Sequence, residues 1–445
     1  MRVLFFGDNG STGFGSVTID LGKRLVELGE DVRFVSQNPT SDDLPEPFRS
    51  RTYDIMSLER ATNELTGQVI GMSGGSSLIG SLLDGTFIGT LHNGELGVGW
   101  VPEVAILLGD YRAAQIILDR APESFKRLSC YHYVPVEGVD LPPAWKQTWD
   151  TVAPIAMSNF GAAEIERVMG KRPPMIYHGV DTGVFHPVSP STPIVLEPEG
   201  RPPVRLTSKE ECKALWAAFF QTAVPKKWVL RTDRHMPRKR YNSLLRAMAP
   251  VLQCQPDVML VLHCQTMDYG GYLPDTISKI PGAQLLNPSN GERPEGWGLF
   301  GRPYPQIMLT NLVGIDRAAL VSLINAADVY ASPSAEGFGL TIAEAIACGV
   351  PVVGINYSSV PEVIGPAGVT VELTHLMENE YDHFWAAVDE QKFGRAVEYL
   401  LTHQTKREDL GRKGPAHVRA NFDWDAAARE FVSLIHASAP VEAAA

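Results

Sequence analysis

Cysteine is scarce in this chain, with only Cys130, Cys212, Cys254, Cys264 and Cys348 among 445 residues. The closest two are ten positions apart, so no pair has metal-like or redox-motif spacing. An odd number of scattered thiols fits a reducing compartment rather than a disulfide framework. Long apolar runs are also missing: none reaches the ~18 residues that a membrane span needs. The opening Met-Arg-Val-Leu-Phe-Phe-Gly-Asp lacks the longer apolar core and the small-residue cleavage site of a secretory signal. It reads as a first strand, and the protein as cytoplasmic. Nor is there an excess of positive charge, because 39 Lys and Arg stand against 51 Asp and Glu for a net charge of -12. That balance disfavours duplex nucleic acid or an anionic membrane as partner. Hydrophobic and charged fractions of 44% and 20% exclude wholesale disorder. The length exceeds what one ordinary core organises, so two large domains are expected.

Apolar periodicity supplies an α/β pattern. Residues 2–7 read as a strand, 8–15 (Asp-Asn-Gly-Ser-Thr-Gly-Phe-Gly) as a glycine-rich turn, 16–28 as a helix with Val17, Leu21 and Leu25 on one face, and Val32–Val35 as the next strand. Gly-x-Gly-x-x-Gly is absent; Gly13-Phe14-Gly15 alone is equally a tight turn before a helix. Further apolar runs at Val69–Met72, Phe87–Leu91, Val104–Leu108, Leu128–Val134 and Ile155–Ser158 imply a parallel sheet covered on both faces. Proline and polar residues dominate 186–206, which reads as a linker. A second α/β series follows it. Thr207 and Ser208 with Glu210 and Glu211 form a capping-box start; strands are expected at 228–231, 258–263, 307–310, 328–332 and 350–355, and helices at 241–252, 316–326 and 341–348. Residues 268–305 read as loop with a short helix, 383–437 as mostly helical, and the last six as a frayed tail.

One stretch concentrates chemistry. Ser332-Pro-Ser-Ala-Glu-Gly-Phe-Gly-Leu-Thr-Ile-Ala-Glu344 sets Glu336 and Glu344 on either side of a Gly-Phe-Gly turn at the start of a helix. A strand, a glycine turn and a fresh helix N-terminus form a place for an anionic or polyhydroxylated ligand. A second concentration is basic: Arg231, Arg234, Arg238, Lys239 and Arg240 fall within ten residues. Such a run is either a solvated face or a phosphate site.

Taken in order, these segments resemble the retaining nucleotide-sugar glycosyltransferases of family 4, the glycosyl transferases group 1 type. The resemblance rests on the opening strand and turn, on Met157-Ser-Asn-Phe-Gly161 followed by Ile176-Tyr-His-Gly-Val-Asp-Thr-Gly-Val-Phe-His-Pro187, and on Arg234-His-Met-Pro-Arg-Lys239. It rests also on Glu336 to Glu344 as an E-x7-E signature, and on Gly349-Val-Pro-Val-Val353 with Ser358-Ser-Val-Pro-Glu362. It implies a GT-B fold, two Rossmann-like doubly wound domains facing a central cleft. The acceptor-side domain would be 1–187, the linker 188–206, the donor domain 207–420, and 421–445 a helix returning to the first domain with the tail.

Moving a sugar from a nucleotide diphosphate builds positive charge on the anomeric carbon and negative charge on the leaving diphosphate. Fixed cations and helix N-termini stabilise the latter. The resemblance implies that Arg234 and Lys239 are those cations, taking the place of a metal, with no cofactor beyond the UDP-, GDP- or ADP-sugar donor. It puts Glu336 at the transferred sugar, the backbone of Gly337, Phe338, Gly339, Leu340 and Thr341 at the donor, and Glu344 at the ribose. Glu344 is also the fourth residue of a Thr341-Ile-Ala-Glu344 capping box, and the two readings stand together. Gly13, Phe14 and Gly15 would line the cleft, with His132 and Glu137 as acceptor-side residues and His92 and Asp110 as further candidates. The acceptor is an unidentified hydroxyl. One alternative, in the same fold, is a transferase acting on nucleic acid bases; another, from a different class, is a catalytically silent sugar-nucleotide-binding protein.

Overall fold

Val3-Leu-Phe-Phe6, Val104-Ala-Ile-Leu-Leu108 and Val258-Met-Leu-Val-Leu262 are apolar on both alternating faces, which demands cover on both sides of a sheet. A computed structural model shows this arrangement twice. It describes residues 1–8, 10, 12–36, 44–53, 75–85, 91–95, 97, 99–220, 224–278, 284–286, 298–301, 307–310, 315–380 and 382–437. The strand expected at Val69–Met72, most of that at Phe87–Leu91 and the frayed tail lie outside the described residues. By internal contacts the chain divides into two units, one of residues 1–136, 140–179 and 424 onward, the other of 137–139 and 180–423.

The first unit contains β1 (Arg2–Gly7), β2 (Asp31–Ser36), β3 (Thr52–Tyr53), β4 (Val104–Leu108), β5 (Ser129–Val134) and β6 (Ala153–Ala156). They pair in parallel in the order β3-β2-β1-β4-β5-β6. The helix after β1 spans Gly13–Glu27 and buries Val17, Leu21 and Leu25. It begins three residues earlier than expected, because Thr12 is its N-cap and accepts from the Gly15 amide at 3.0 Å. Gly13, Phe14 and Gly15 are therefore its first turn rather than a loop before it. The Gly10 carbonyl oxygen lies 1.9 Å from where a Cβ on Gly15 would stand, so only glycine fits there.

His178 and Gly179 belong to the same unit and explain the first half of the His-Gly-Val-Asp stretch. The Tyr133 hydroxyl lies 2.7 Å from His178 Nδ1, and the Trp424 ring packs on the imidazole at 5.7 Å. A Cβ on Gly179 would meet the Trp424 backbone nitrogen at 2.4 Å. The helix Trp424–Ala437 is also tied to the Gly13–Glu27 helix by Arg24 Nε on Asp425 at 2.6 Å. Ser158, the serine of the Met157–Gly161 segment, is a buried N-cap that accepts from the Gly161 amide at 3.0 Å.

The second unit opens on a structure that the proline-rich composition hid. Within the expected linker, β7 (Ile194–Leu196) and β8 (Val204–Leu206) pair as an antiparallel ribbon with Ile194 and Leu206 buried. The main sheet uses β9 (Lys227–Thr232) and β10 (Val258–His263); between β10 and its next strands lies a short hairpin of β11 (Met267–Asp268) and β12 (Gly271–Tyr272). β13 (Gln284–Leu286), β14 (Gly298–Gly301), β15 (Ile307–Leu309), β16 (Val329–Ser332), β17 (Val352–Ile355) and β18 (Gly368–Val371) complete the sheet. Its order is β13-β14-β15-β10-β9-β16-β17-β18, parallel from β15 to β18 and antiparallel at the β13–β14 edge. The region expected to be mostly helical begins instead with a strand, β20 (Phe384–Val388), paired with β19 (Leu373–Glu378), before helices Glu390–Thr402 and Gln404–Asn421. Among the described residues no helix is long and apolar enough to cross a membrane.

Candidate active site

The parallel core of the second sheet runs third-second-first-fourth-fifth-sixth in its own chain order, so it reverses between β9 and β16. In open α/β sheets the crevice beyond the strand C-termini at such a reversal is where ligands bind. The basic run leaves β9 at that point, and the Glu336 stretch leaves β16. Topology, not proximity in sequence, brings the two concentrations of chemistry together.

Glu336 is buried, and its two oxygens are saturated. Lys239 Nζ lies 2.8 Å from Oε1 and 2.7 Å from Oε2; the Ser334 hydroxyl donates to Oε1 at 2.7 Å and Arg238 Nη1 donates to Oε2 at 3.1 Å. Burial pushes this carboxyl up, but Lys239, Arg238 and Arg231 more than offset it and hold it at about 2. It is therefore an anion at neutral pH. Its backbone is equally fixed, because its amide donates to Ser358 Oγ at 3.0 Å, and Ser359 Oγ lies 2.7 Å from the Glu336 carbonyl and 2.8 Å from that of Phe338. The Ser358–Glu362 segment is thus the clasp of this turn.

Gly337 and Phe338 are buried, with the Phe338 ring edge-on to Phe422 at 5.2 Å. Gly339 is the N-cap of the Leu340–Ala347 helix at φ 101°, a conformation that favours glycine. The helix has no side-chain cap. Thr341 lies inside it, with its hydroxyl 3.3 Å from Asp233 Oδ2, so the Thr341–Glu344 capping box does not form. Glu344 is half-buried on the same helix.

Lys239 ends a short 3-10 turn, Pro237–Lys239, and reaches a second carboxylate, Asp233 Oδ1, at 2.7 Å. Asp233 Oδ2 in turn takes Arg231 Nη2 at 2.7 Å. Arg231 has no exposed surface; it also donates to Ser334 Oγ at 2.7 Å, while its Nε and Nη1 have no partner among the described residues. Arg238 adds Glu137 Oε1 at 3.7 Å, and Glu137–Val139 is the stretch of the early chain counted with this unit. Val139 exchanges backbone hydrogen bonds with Phe384 there. Arg234 stands apart from this knot, with a two-pronged contact to Asp268. The basic run is not a simple solvated face, since each of Arg231, Arg234, Arg238 and Lys239 faces a carboxylate.

The structure gathers Lys239, Glu336, Glu137 and the Gly337–Thr341 segment in one unit, with Arg234 on the same loop as Lys239. His132 belongs elsewhere. It is fully buried in the first unit, receives a hydrogen bond from Trp149 Nε1 at 3.2 Å on Nδ1 and donates from Nε2 to the Gly109 carbonyl at 3.0 Å. Burial lowers its pKa to about 4, so it is a neutral structural imidazole rather than a residue lining a cleft. Asp110 is the N-cap of the Tyr111–Arg120 helix, accepting from the Ala113 amide at 2.8 Å. His92 holds its turn through a backbone bond to Thr52. Asp233, Asp268 and Ser334 escaped sequence reasoning. One signal was available for the first: Arg231 closes an otherwise apolar strand, and a charge in a covered strand requires a partner close by.

Residues 308–417 match the model of the family described as glycosyl transferases group 1. A GDP-mannose-dependent monoacylated alpha-(1-6)-phosphatidylinositol monomannoside mannosyltransferase of Corynebacterium glutamicum is 26% identical over 212 residues, 46% of this chain and 45% of that protein. A trehalose synthase of Pyrococcus horikoshii is 33% identical over 156 residues, 32% and 34% of the two chains. The chain thus spans less than half the length of these curated relatives. Among solved structures, a sucrose-phosphate synthase from Thermosynechococcus elongatus covers 98% of both chains at TM-score 0.61 and 16% identity. Anabaena HepE in complex with UDP and glucose covers 98% of this chain and 100% of its own, at TM-score 0.61 and 15% identity. The match to glycosyl transferases group 1 thus lies in residues 308–417, and the fold of the chain is GT-B.

Proposed function

We propose that the protein is a retaining glycosyltransferase that takes a sugar from a nucleotide-diphosphate donor and passes it to a hydroxyl acceptor, in the cytoplasm. The observation that carries this reading is the meeting of Lys239 and Glu336 at the reversal of the second sheet, 2.7 Å apart and next to a glycine-capped helix N-terminus. Lys239 and Arg234 take the diphosphate, and the amides of Gly337–Thr341 add to the positive field at the leaving oxygens. Glu336, held as an anion, faces the positive charge that grows on the anomeric carbon. A carboxyl at about 2 is a poor proton donor at neutral pH, so its part is electrostatic rather than acid catalysis. Glu344, one helical turn or two along, takes the ribose hydroxyls. A relative named for GDP-mannose and a fold neighbour bound to UDP and glucose support a nucleotide-sugar donor.

Incubation with UDP-, GDP- and ADP-sugars tests this, with free or transferred sugar as the readout. Lys239→Ala and Glu336→Ala are each expected to reduce turnover by at least about 10²–10³, the loss typical of one preorganised charge contact. Folded variants with near-normal turnover would refute the assignment.

A further inference from the structure

Arg234 is the most exposed of the site cations, with its side chain 48% accessible, yet it is not a loose surface arginine. Its Nε lies 3.1 Å from Asp268 Oδ2 and its Nη2 lies 2.8 Å from Asp268 Oδ1, a two-pronged contact that fixes the guanidinium plane. The Tyr269 ring covers the same group at 5.6 Å. Asp268 and Tyr269 belong to the hairpin of β11 and β12, and that hairpin is fastened to the arginine's own loop. The Gly270 amide donates to the His235 carbonyl at 2.7 Å, and His235 Nδ1 lies 3.1 Å from the Gly271 carbonyl. Gly270 cannot carry a side chain here, because a Cβ would sit 2.7 Å from the His235 carbonyl oxygen. Asp268 is itself 5% accessible and accepts from the Tyr269 amide at 2.9 Å.

A surface arginine has side-chain rotamer entropy to lose before it can grip a phosphate. A guanidinium already held in plane by a carboxylate fork, a ring and a clasped hairpin has lost most of it in advance, which is how preorganisation raises affinity. The Asp233–Lys239–Glu336 knot is held in a different way, by burial and by pairing on every side. Arg234 has no such cover, and the hairpin takes its place.

We propose that Asp268 is a positioning residue for donor binding: through its two-pronged contact it holds Arg234 in the orientation that meets the diphosphate, with the hairpin Met267–Tyr272 as its mount. This rests on the reading of Arg234 as a diphosphate ligand. Calorimetric titration of UDP, GDP and ADP, with uridine, guanosine and adenosine as controls, into the wild type, Asp268→Asn, Asp268→Glu, Arg234→Ala and the Asp268→Asn/Arg234→Ala double variant tests both statements separately. Asp268→Asn is expected to weaken whichever diphosphate binds by about tenfold, the scale of one misaimed charge-assisted hydrogen bond. Nucleoside affinity stays unchanged, Asp268→Glu retains most of the diphosphate affinity, and the Asp268→Asn effect vanishes in the Arg234→Ala background. Unchanged or tighter diphosphate binding in Asp268→Asn, or a loss that persists when Arg234 is already gone, overturns the positioning role while the donor site stands on the loss in Arg234→Ala. If Arg234→Ala leaves affinity intact, or none of the three diphosphates binds the wild type, the donor-site reading fails and the inference falls with it.

Discussion

Arg231 shows what a single residue contributes without touching a ligand. It has no accessible surface, and it sits between Asp233 and Ser334 beneath Glu336, whose Oε1 is 3.7 Å away. Burial works against its charge, and Asp233 and Glu336 more than restore it. Removing one member of a buried pair strands the other, at a cost of about 3–5 kcal/mol. Arg231→Met is therefore expected to destabilise the second unit by that amount in urea unfolding, and to reduce turnover as well, since Asp233 would then keep only Lys239 and the Thr341 hydroxyl. A loss below about 1 kcal/mol would show that the pair is not a structural centre of the site. This is also where sequence reasoning reached its limit. Glu336, Lys239 and Arg234 drew attention because their spacing resembles a known pattern. Asp233 and Asp268 were not, because a lone carboxylate carries no mark of the cation it will face after folding. His132 is the opposite case: a histidine within an apolar strand says nothing of the Trp149 and Gly109 partners that bury it.

Among the elements, the turn between β16 and the Leu340–Ala347 helix does the most with the least chain. Gly339 takes φ 101°, and Ser358 and Ser359 clasp the peptides of Glu336 and Phe338. Gly339→Ala forces a Cβ into that left-handed conformation, with Ile342 Cδ1 at 3.2 Å. A loss of about 1–2 kcal/mol in unfolding free energy is expected, together with a larger fall in turnover because Glu336 moves with the turn. A stability loss without any change in turnover would separate the turn from the site. Several elements of this unit were legible: β9, β10, β16 and the helices Tyr241–Cys254 and Arg317–Ala326 stand within a residue or two of their expected positions. The β7–β8 ribbon was not, since its three-residue strands lie between prolines that read as linker. The start of the Gly13–Glu27 helix was missed for a similar reason, with two glycines in a first turn that only the Thr12 cap makes helical.

For the whole molecule, the buried histidines set the response to acid. Burial lowers His132 to about 4 and His178 to about 3 in the first unit, and His263 and His383 to about 4 in the second, all from 6.5. Below pH 6.5 the unfolded chain binds protons that these folded imidazoles refuse, so stability falls as pH drops toward 4 in both units. Glu336 adds a second window with the same sign. Its carboxyl is at about 2 when folded against 4.5 ordinarily, so its contribution is whole above 4.5 and is lost as pH falls toward 2. Urea midpoints recorded from pH 7 to pH 4 should decline for both units, and a flat profile would mean that these imidazoles are solvated. At this scale the twin α/β design was readable from alternating strands and helices. Where the chain passes from one unit to the other, at Gly179–Val180 and again at Asp423–Trp424, was readable only in part: Gly179 is dictated by Trp424, almost 250 positions later.

The proposed nucleotide-sugar site lies at the reversal point of the second sheet. Thermal unfolding of the wild type and of Lys239→Ala with saturating UDP-, GDP- and ADP-sugars tests that directly, because a ligand of the folded state raises its apparent stability. One nucleotide class should raise the midpoint of the wild type by several degrees and leave Lys239→Ala unmoved. No shift with any of the three, or an equal shift in both proteins, would contradict the account.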